Sequence, residues 1–266
     1  MSYARNYQVF PKLSSKKIVI LSVVSLALFI LTWLILSELK IVPKIILPSP
    51  IIVLNKFIGV IKSGYADKSL YEHLGISLFR VFASLFIAII FAIPLGIFVA
   101  VNDYVRGILD PFIEFYRPLP PLAYLPLIII WFGIGEMSKI ILITLAIFAP
   151  IFLNTRAGVL SIPQERIRAA LCLGASKWQL ITSVIFPSSL YHIFTGIRIG
   201  IGFGWTTLVA AEMVAANSGL GHMVLTASEF LVTEVVLIGI FIIGIIAILT
   251  DLFMRYLTKK FIHWHR

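Results

Sequence analysis

Three long, largely apolar stretches, Ile18–Ser37, Leu78–Val101 and Val235–Leu257, restrict what this chain can fold into. A helix that crosses the hydrocarbon core of a bilayer needs about 20 mostly apolar residues, and each stretch meets that length. Shorter runs at Leu122–Phe132 with its flanks and at Ile140–Leu153 extend the pattern. A sixth interval, Ile193–Ala216, is apolar but interrupted by glycines and by Arg198 and Glu212. Hydrophobic residues make up 60% of the chain and charged ones 13%. A soluble domain carries roughly 25% charged residues, so lipid is the solvent this composition fits. No segment shows the period-2 alternation of a membrane barrel. The expected fold is an all-α integral membrane protein with about six transmembrane helices.

The net charge is +10. A nucleic-acid binder gathers Lys and Arg on a polar face. Here they fall between apolar runs, so the excess reads as the positive-inside bias of membrane loops and nucleic acid is not an expected partner. The single cysteine, Cys172, excludes an internal disulfide and a CxxC site. Arg5, Lys12, Lys16 and Lys17 precede the first apolar run. That run exceeds the 7–15 residues typical of a signal h-region, and no A-x-A site follows, so it reads as a retained anchor.

Residues 1–17 are expected to form an N-terminal tail, 18–260 the polytopic membrane domain and 261–266 a C-terminal tail. Arg255, Lys259, Lys260 and Arg266 place the C-terminal end in the cytoplasm with the N-terminus, which demands an even number of spans. Six spans put the loop at about 155–189, with Arg156, Arg166, Arg168 and Lys177, inside. They put Asn217–Glu234, which has no Lys or Arg, outside. The loop Glu38–Gly75 runs against the rule, because it holds Lys40, Lys44, Lys56, Lys62 and Lys68. Within it, Leu47-Pro-Ser-Pro50 followed by Ile51, Ile52, Val53, Leu54 and Phe57 predicts a short amphipathic helix starting near Ser49. A packed surface loop is the alternative.

Four prolines between Arg117 and Pro126 forbid a regular helix through Pro121 and predict a kink near Pro126. Broken backbone at membrane depth is tolerated only where it is buried or lines a wet cavity. The segment is therefore either a helix entry lining a pathway or a cytoplasmic turn before an ordinary kinked helix.

Ser161-Ile-Pro-Gln-Glu-Arg-Ile-Arg-Ala-Ala-Leu-Cys-Leu-Gly174 reads as a short helix. Ser161 and Gln164 have the spacing of a capping box, Pro163 suits the first turn, and Gly174 supplies a left-handed terminator. A second helix is expected from near Ser176 until Pro187 interrupts it. This helix-turn-helix could dock in a groove on a soluble partner or rest on lipid headgroups.

The order Ala169, Ala170, Gly174 and Pro187 resembles the EAA loop of the permease subunits of binding-protein-dependent ABC importers. Val184 and Phe186 stand at the Ile and Leu positions of that pattern. Arg168 stands at the Glu position, which removes any ion pair made by the family's Glu while leaving the docking helix. Leu47-Pro-Ser-Pro50, Arg117-Pro-Leu-Pro-Pro, Trp131-Phe-Gly-Ile-Gly135 and Leu173-Gly-Ala-Ser-Lys-Trp178 resemble the nitrate, sulfonate, taurine and bicarbonate branch. So do Gly196-Ile-Arg-Ile-Gly200, Ala211-Glu-Met213 and Ser218-Gly-Leu-Gly221.

The resemblance implies a permease dimer, usually of identical chains, in a bacterial or archaeal cell membrane. It implies two ABC ATPase subunits and an extracytoplasmic binding protein as partners. It also implies a coupling helix between the fourth and fifth spans, with Arg168, Ala169, Ala170, Gly174, Ala175, Ser176 and Pro187 as the ATPase-coupling residues. The chain has no G-x-x-x-x-G-K-[ST] loop, so ATP and Mg are expected on the partner ATPase, with no cofactor, metal or catalytic site here. The solute is expected to be a small sulfonate- or nitrate-like anion, or alternatively a thiamine precursor or other vitamin-like compound. A secondary transporter or channel is the rival class, but the two halves show no repeat.

Charges inside a span mark candidate sites, which makes Arg198 and Glu212, with Trp205 between them, candidates for the translocation pathway. Gly196, Gly200 and Gly204 form a ridge that lets helices approach closely, either across a dimer or within the chain. Arg80 reads as an interfacial anchor.

Overall fold

The computed structural model describes residues 14–262. Arg5, Lys12, Arg266, His263 and His265 lie outside the described residues, as do most of the two expected tails. All the elements that follow are helical. They are α1 (Ser15–Glu38), α2 (Pro50–Ser63), α3 (Leu70–Val101), α4 (Asp103–Tyr116), α5 (Leu125–Phe132) and α6 (Glu136–Leu160). Then come α7 (Gln164–Cys172), α8 (Lys177–Gln179), α9 (Phe186–Ala215), α10 (Leu220–Glu229) and α11 (Thr233–Phe261).

Five of these helices are long and apolar enough to cross a membrane, counting α8 and α9 as one span with the wide turn between them. The sixth candidate span is a bent pair of helices. Here α4 ends at Tyr116, the chain turns through Pro118 and Pro120, and a 3-10 turn at Pro121–Tyr124 leads into α5, bending the pair by 95°. The expected kink near Pro126 is displaced: Pro126 sits in the first turn of α5, where its missing N–H costs nothing, and the bend falls in the prolines before it. As a candidate span in chain order this pair, the third, reaches upstream of Leu122–Phe132 to include α4.

The centre of the bundle is the trio α3, α6 and α9. Val81, Ala88, Ile143, Ile147, Ile193 and Leu208 are buried between them. In lipid no water drives helices together, so close fit must supply the attraction. The glycine ridge provides that fit within the chain. A Cβ at Gly196 would lie 2.8 Å from the Asn154 Cβ, and one at Gly204 would lie 2.8 Å from the Ile147 Cδ1. Gly200 faces Ile147 in the same way. Of the two placements open to the ridge, the structure takes the contact with α6. By contrast α1 is exposed from Lys16 to Thr32. It is tied on near one end, where the Trp33 Nε1–H donates to the Pro48 carbonyl at 3.0 Å and the Trp33 ring stacks on Phe241.

The amphipathic helix in the first loop is present. It is α2, with Ser49 at its N-cap and Pro50 at its first position. Its buried residues Val53 and Val60 lie on one face, while Ile51, Leu54 and Ile58 are exposed.

Two local expectations are corrected near α7. Ser161 does not cap that helix. It closes α6, and its hydroxyl donates to the Gly158 carbonyl at 2.8 Å, which leaves Pro163 as the residue before α7 with no side-chain cap. The capping box falls instead on Ser176 and Gln179, at the start of α8. Nor does Pro187 interrupt the following helix. A wide π turn at Leu180–Ile185 lets the chain run on into α9, with Pro187 in the first turn of that helix, where no N–H is required.

Candidate functional site

The bundle has two chemically different ends. At one end lie the starts of α3, α6 and α11, the end of α9, and α10. At the other lie the ends of α3, α6 and α11, the start of α9, and α7.

At the α7 end, a short helix stands clear of the bundle. Ile162, with Ile167 behind it, anchors α7 against Ile97, Val159 and Ile185. No residue of α7 itself is buried. Gly174 has φ +81°, a left-handed conformation that glycine adopts without strain. The Gly174 N–H donates to the Leu171 carbonyl and the Ala175 N–H to the Ala170 carbonyl, so the last carbonyls of the helix are satisfied in a Schellman motif. Arg168, Ala169 and Ser176 are exposed around this corner. Leu173 is 88% exposed and Trp178 is 70% exposed. The exposed surface of this turn therefore mixes apolar side chains with Arg168 and Lys177.

At the α10 end, four charged side chains tie four helices together. Arg80 is fully buried, not an interfacial anchor. Its Nε and Nη2 donate to both carboxylate oxygens of Glu136, at 2.7 and 2.6 Å. Its Nη1 donates to Glu212 at 2.7 Å and to the Ser218 carbonyl at 2.8 Å. Glu212, also fully buried, accepts further bonds from the Ser77 hydroxyl and the Gly221 N–H. Lys139 reaches Glu136 at 3.0 Å, so two cations meet two carboxylates. Burial pushes the nearby His222 imidazole below its usual pKa.

The loop before α10 is fitted around this cluster. Gly219 has φ +118°, and a side chain there would collide with the Glu212 carboxylate. Its N–H and its carbonyl both lie against the His73 Nδ1, at 3.1 and 3.0 Å, while the His73 Nε2 lies 3.0 Å from the Tyr65 carbonyl.

Of the three pathway candidates, two meet neighbouring residues of α11 and the third does not. Arg198 pairs with Asp251 of α11 at 2.9 Å, and Asp251 also takes Arg255 at 2.7 Å. Trp205 is buried, and its Nε1–H donates to the Thr250 hydroxyl at 3.2 Å. Glu212 belongs to the lock. Reasoning from the sequence missed Glu136 and the true setting of Arg80. One signal was available: charges of opposite sign embedded near the same end of two antiparallel spans need partners, and each is the other's nearest candidate.

Between the broken span and the middles of α6 and α9 lies a cavity of about 450 Å³. Tyr116, Arg117 and Tyr124 line one wall, with Pro150, Asn154 and Phe203 opposite. Among the described residues no group of three His, Cys, Asp or Glu side chains is placed to hold a metal.

The chain is a helical bundle with five to six candidate membrane spans, the class of an integral membrane protein. Residues 92–263 match the family described as binding-protein-dependent transport system inner membrane component, and the chain belongs to that family. It is 52% identical over 248 residues to the taurine transport system permease protein TauC of Escherichia coli, covering 93% of this chain and 90% of that one. It is 34% identical over 238 residues to the putative aliphatic sulfonates transport permease protein SsuC of Bacillus subtilis, covering 90% and 85%. The nitrate import permease protein NrtB of a Synechocystis strain is 33% identical over 216 residues, covering 79% and 78%. The fold is shared with the inward-facing MetNI methionine ABC transporter, at a TM-score of 0.58 and 20% identity, over 70% of this chain and 95% of that chain.

Proposed function

We propose that this chain is the permease subunit of an ATP-driven importer for a small sulfonate, with taurine the first solute to test. The observation that carries the reading is α7, an exposed helix closed by Gly174 with Leu173 and Trp178 left bare, in a chain 52% identical to a taurine permease.

In this reading the α7 end faces the cytoplasm, and so do both termini. Two identical permeases pair in the membrane. Each presents Arg168, Ala169, Ala170, Gly174, Ala175 and Ser176 to one ATPase subunit, which binds ATP and Mg. Closure of the ATPase pair pushes α7, and the π turn with Pro187 passes that movement into α9, which has no break down to Ala215. An extracytoplasmic binding protein delivers solute at the α10 end. The Arg80 cluster keeps α3, α6, α9 and α10 together at that end, so the push acts on a stiff body.

Reconstitution in proteoliposomes tests this. With the ATPase, the binding protein and ATP present, taurine is expected to accumulate. Without the ATPase, uptake is expected to stop. Uptake by this chain alone, with no ATP, would defeat the proposal. A membrane-impermeant maleimide should reach Cys172, which is exposed, only from the cytoplasmic side.

A further inference from the structure

We infer that the cavity beside the broken span is a way station for an anionic solute, with Arg117 as its countercharge. The inference rests on the permease reading and adds the place and chemistry of a site within it.

Depth comes first. The cavity is walled by Leu145, Ala146, Ala149 and Pro150 of α6, the middle of a helix running from Glu136 to Leu160. Ile199 and Phe203 face it from the middle of α9. Tyr116, the residue before Arg117, donates its hydroxyl to the Leu145 carbonyl. Arg117 therefore sits near the midplane, about 15 Å of hydrocarbon from either surface. That is farther than an arginine can snorkel.

Exposure comes next. The Arg117 side chain is 49% exposed, and its partner Glu114, at 3.3 Å, is 55% exposed. Lipid does not tolerate a half-open ion pair at that depth, so the open side must face water or a second permease. Both occur on a translocation pathway. The break in the span fits the same setting, because irregular backbone is stable in a membrane only around such a space.

The polar groups are suited to a small anion. A guanidinium has five N–H donors, and the Glu114 contact leaves most of them free. Pro150 has no N–H, so the Ala146 carbonyl behind it lacks its helical partner. The Asn154 amide already caps the Pro150 carbonyl at 2.8 Å. Ile199, Leu153 and Phe203 offer apolar wall for a short alkyl chain. A cavity of about 450 Å³ accepts a compact organic monoanion with room for water. The neighbouring Glu114 holds the affinity down, which a transit site requires because the solute must also leave.

The test uses the complete importer, permease with ATPase and binding protein, in proteoliposomes with radiolabelled taurine. Arg117→Gln is expected to reduce ATP-driven uptake at least tenfold, and Arg117→Lys to retain more than Arg117→Gln. Lys44→Gln, which removes one exposed charge outside the cavity lining, is expected to leave uptake unchanged. Co-purification with the ATPase shows that each variant assembles. If Arg117→Gln does not assemble, Leu153→Trp decides, since it fills the cavity from the opposite wall and leaves every charge in place. It too is expected to cut uptake tenfold. Normal uptake by the assembled Arg117→Gln or by Leu153→Trp would overturn the site. A wild-type importer that hydrolyses ATP but moves no taurine would instead overturn the solute assigned to the permease, a separate failure.

Discussion

The two ends of the bundle satisfy their polar groups in opposite ways. At the α10 end, Arg80, Glu136, Glu212, Ser77 and Ser218 bond to one another across three helices and the loop before α10, and most of the cluster is sealed from solvent. At the α7 end, the backbone closes on itself through Gly174, and the side chains of Leu173 and Trp178 stay bare. The first arrangement resists movement because each charge depends on partners held by other helices. The second leaves a formed surface with nothing on it. In the proposed importer, force would enter at the α7 end and the α10 end would serve as the frame.

The most severe way to break the contrast is Arg80→Ala. It leaves Glu212 buried without its countercharge, which typically costs about 3–5 kcal/mol. The variant is expected to lose its folded fraction in detergent, measured by thermal denaturation, and Arg80→Ala with Glu212→Gln should recover part of the loss. Wild-type stability for the single variant would show that the lock does not hold the frame.

Gly204→Val probes the helix contact between the two ends. It forces a branched side chain against Ile147, and overpacking of this kind costs about 1–3 kcal/mol. A smaller melting shift than for Arg80→Ala is expected. An unchanged melting point would place the ridge outside the α6 contact.

Gly174→Ala sharpens the comparison at the other end. Nothing lies within 4 Å of the added Cβ, so the cost is conformational, about 1 kcal/mol for a non-glycine residue at positive φ. Stability should barely change, while ATP hydrolysis per taurine imported should rise. Tight coupling in this variant would remove α7 from the transmission path.

Arg198→Gln is expected to have the smallest effect. Its pair with Asp251 is about one-third exposed on both sides, and Arg255 remains to partner Asp251. Exposed pairs contribute about 0–1 kcal/mol, so a melting shift comparable to that of Arg80→Ala would contradict the geometry.

The sequence by itself determined the features that depend only on local chemistry. Apolar length located the spans, because a bilayer imposes its thickness on any helix that crosses it. The turn at Gly174, the start of α2 at Ser49 and Pro50, and the break between Arg117 and Pro126 follow from a few neighbouring residues, since proline and glycine act on their own backbone. Only the tertiary structure decided the rest. Arg80 was an anchor or a lock according to what lay 56 and 132 positions along the chain. Ser161 closed one helix rather than opening the next, Pro187 was absorbed by a wide turn, and the glycine ridge met α6. In each case the competing local states are close in energy. The choice belongs to contacts with distant residues that no short window of sequence contains.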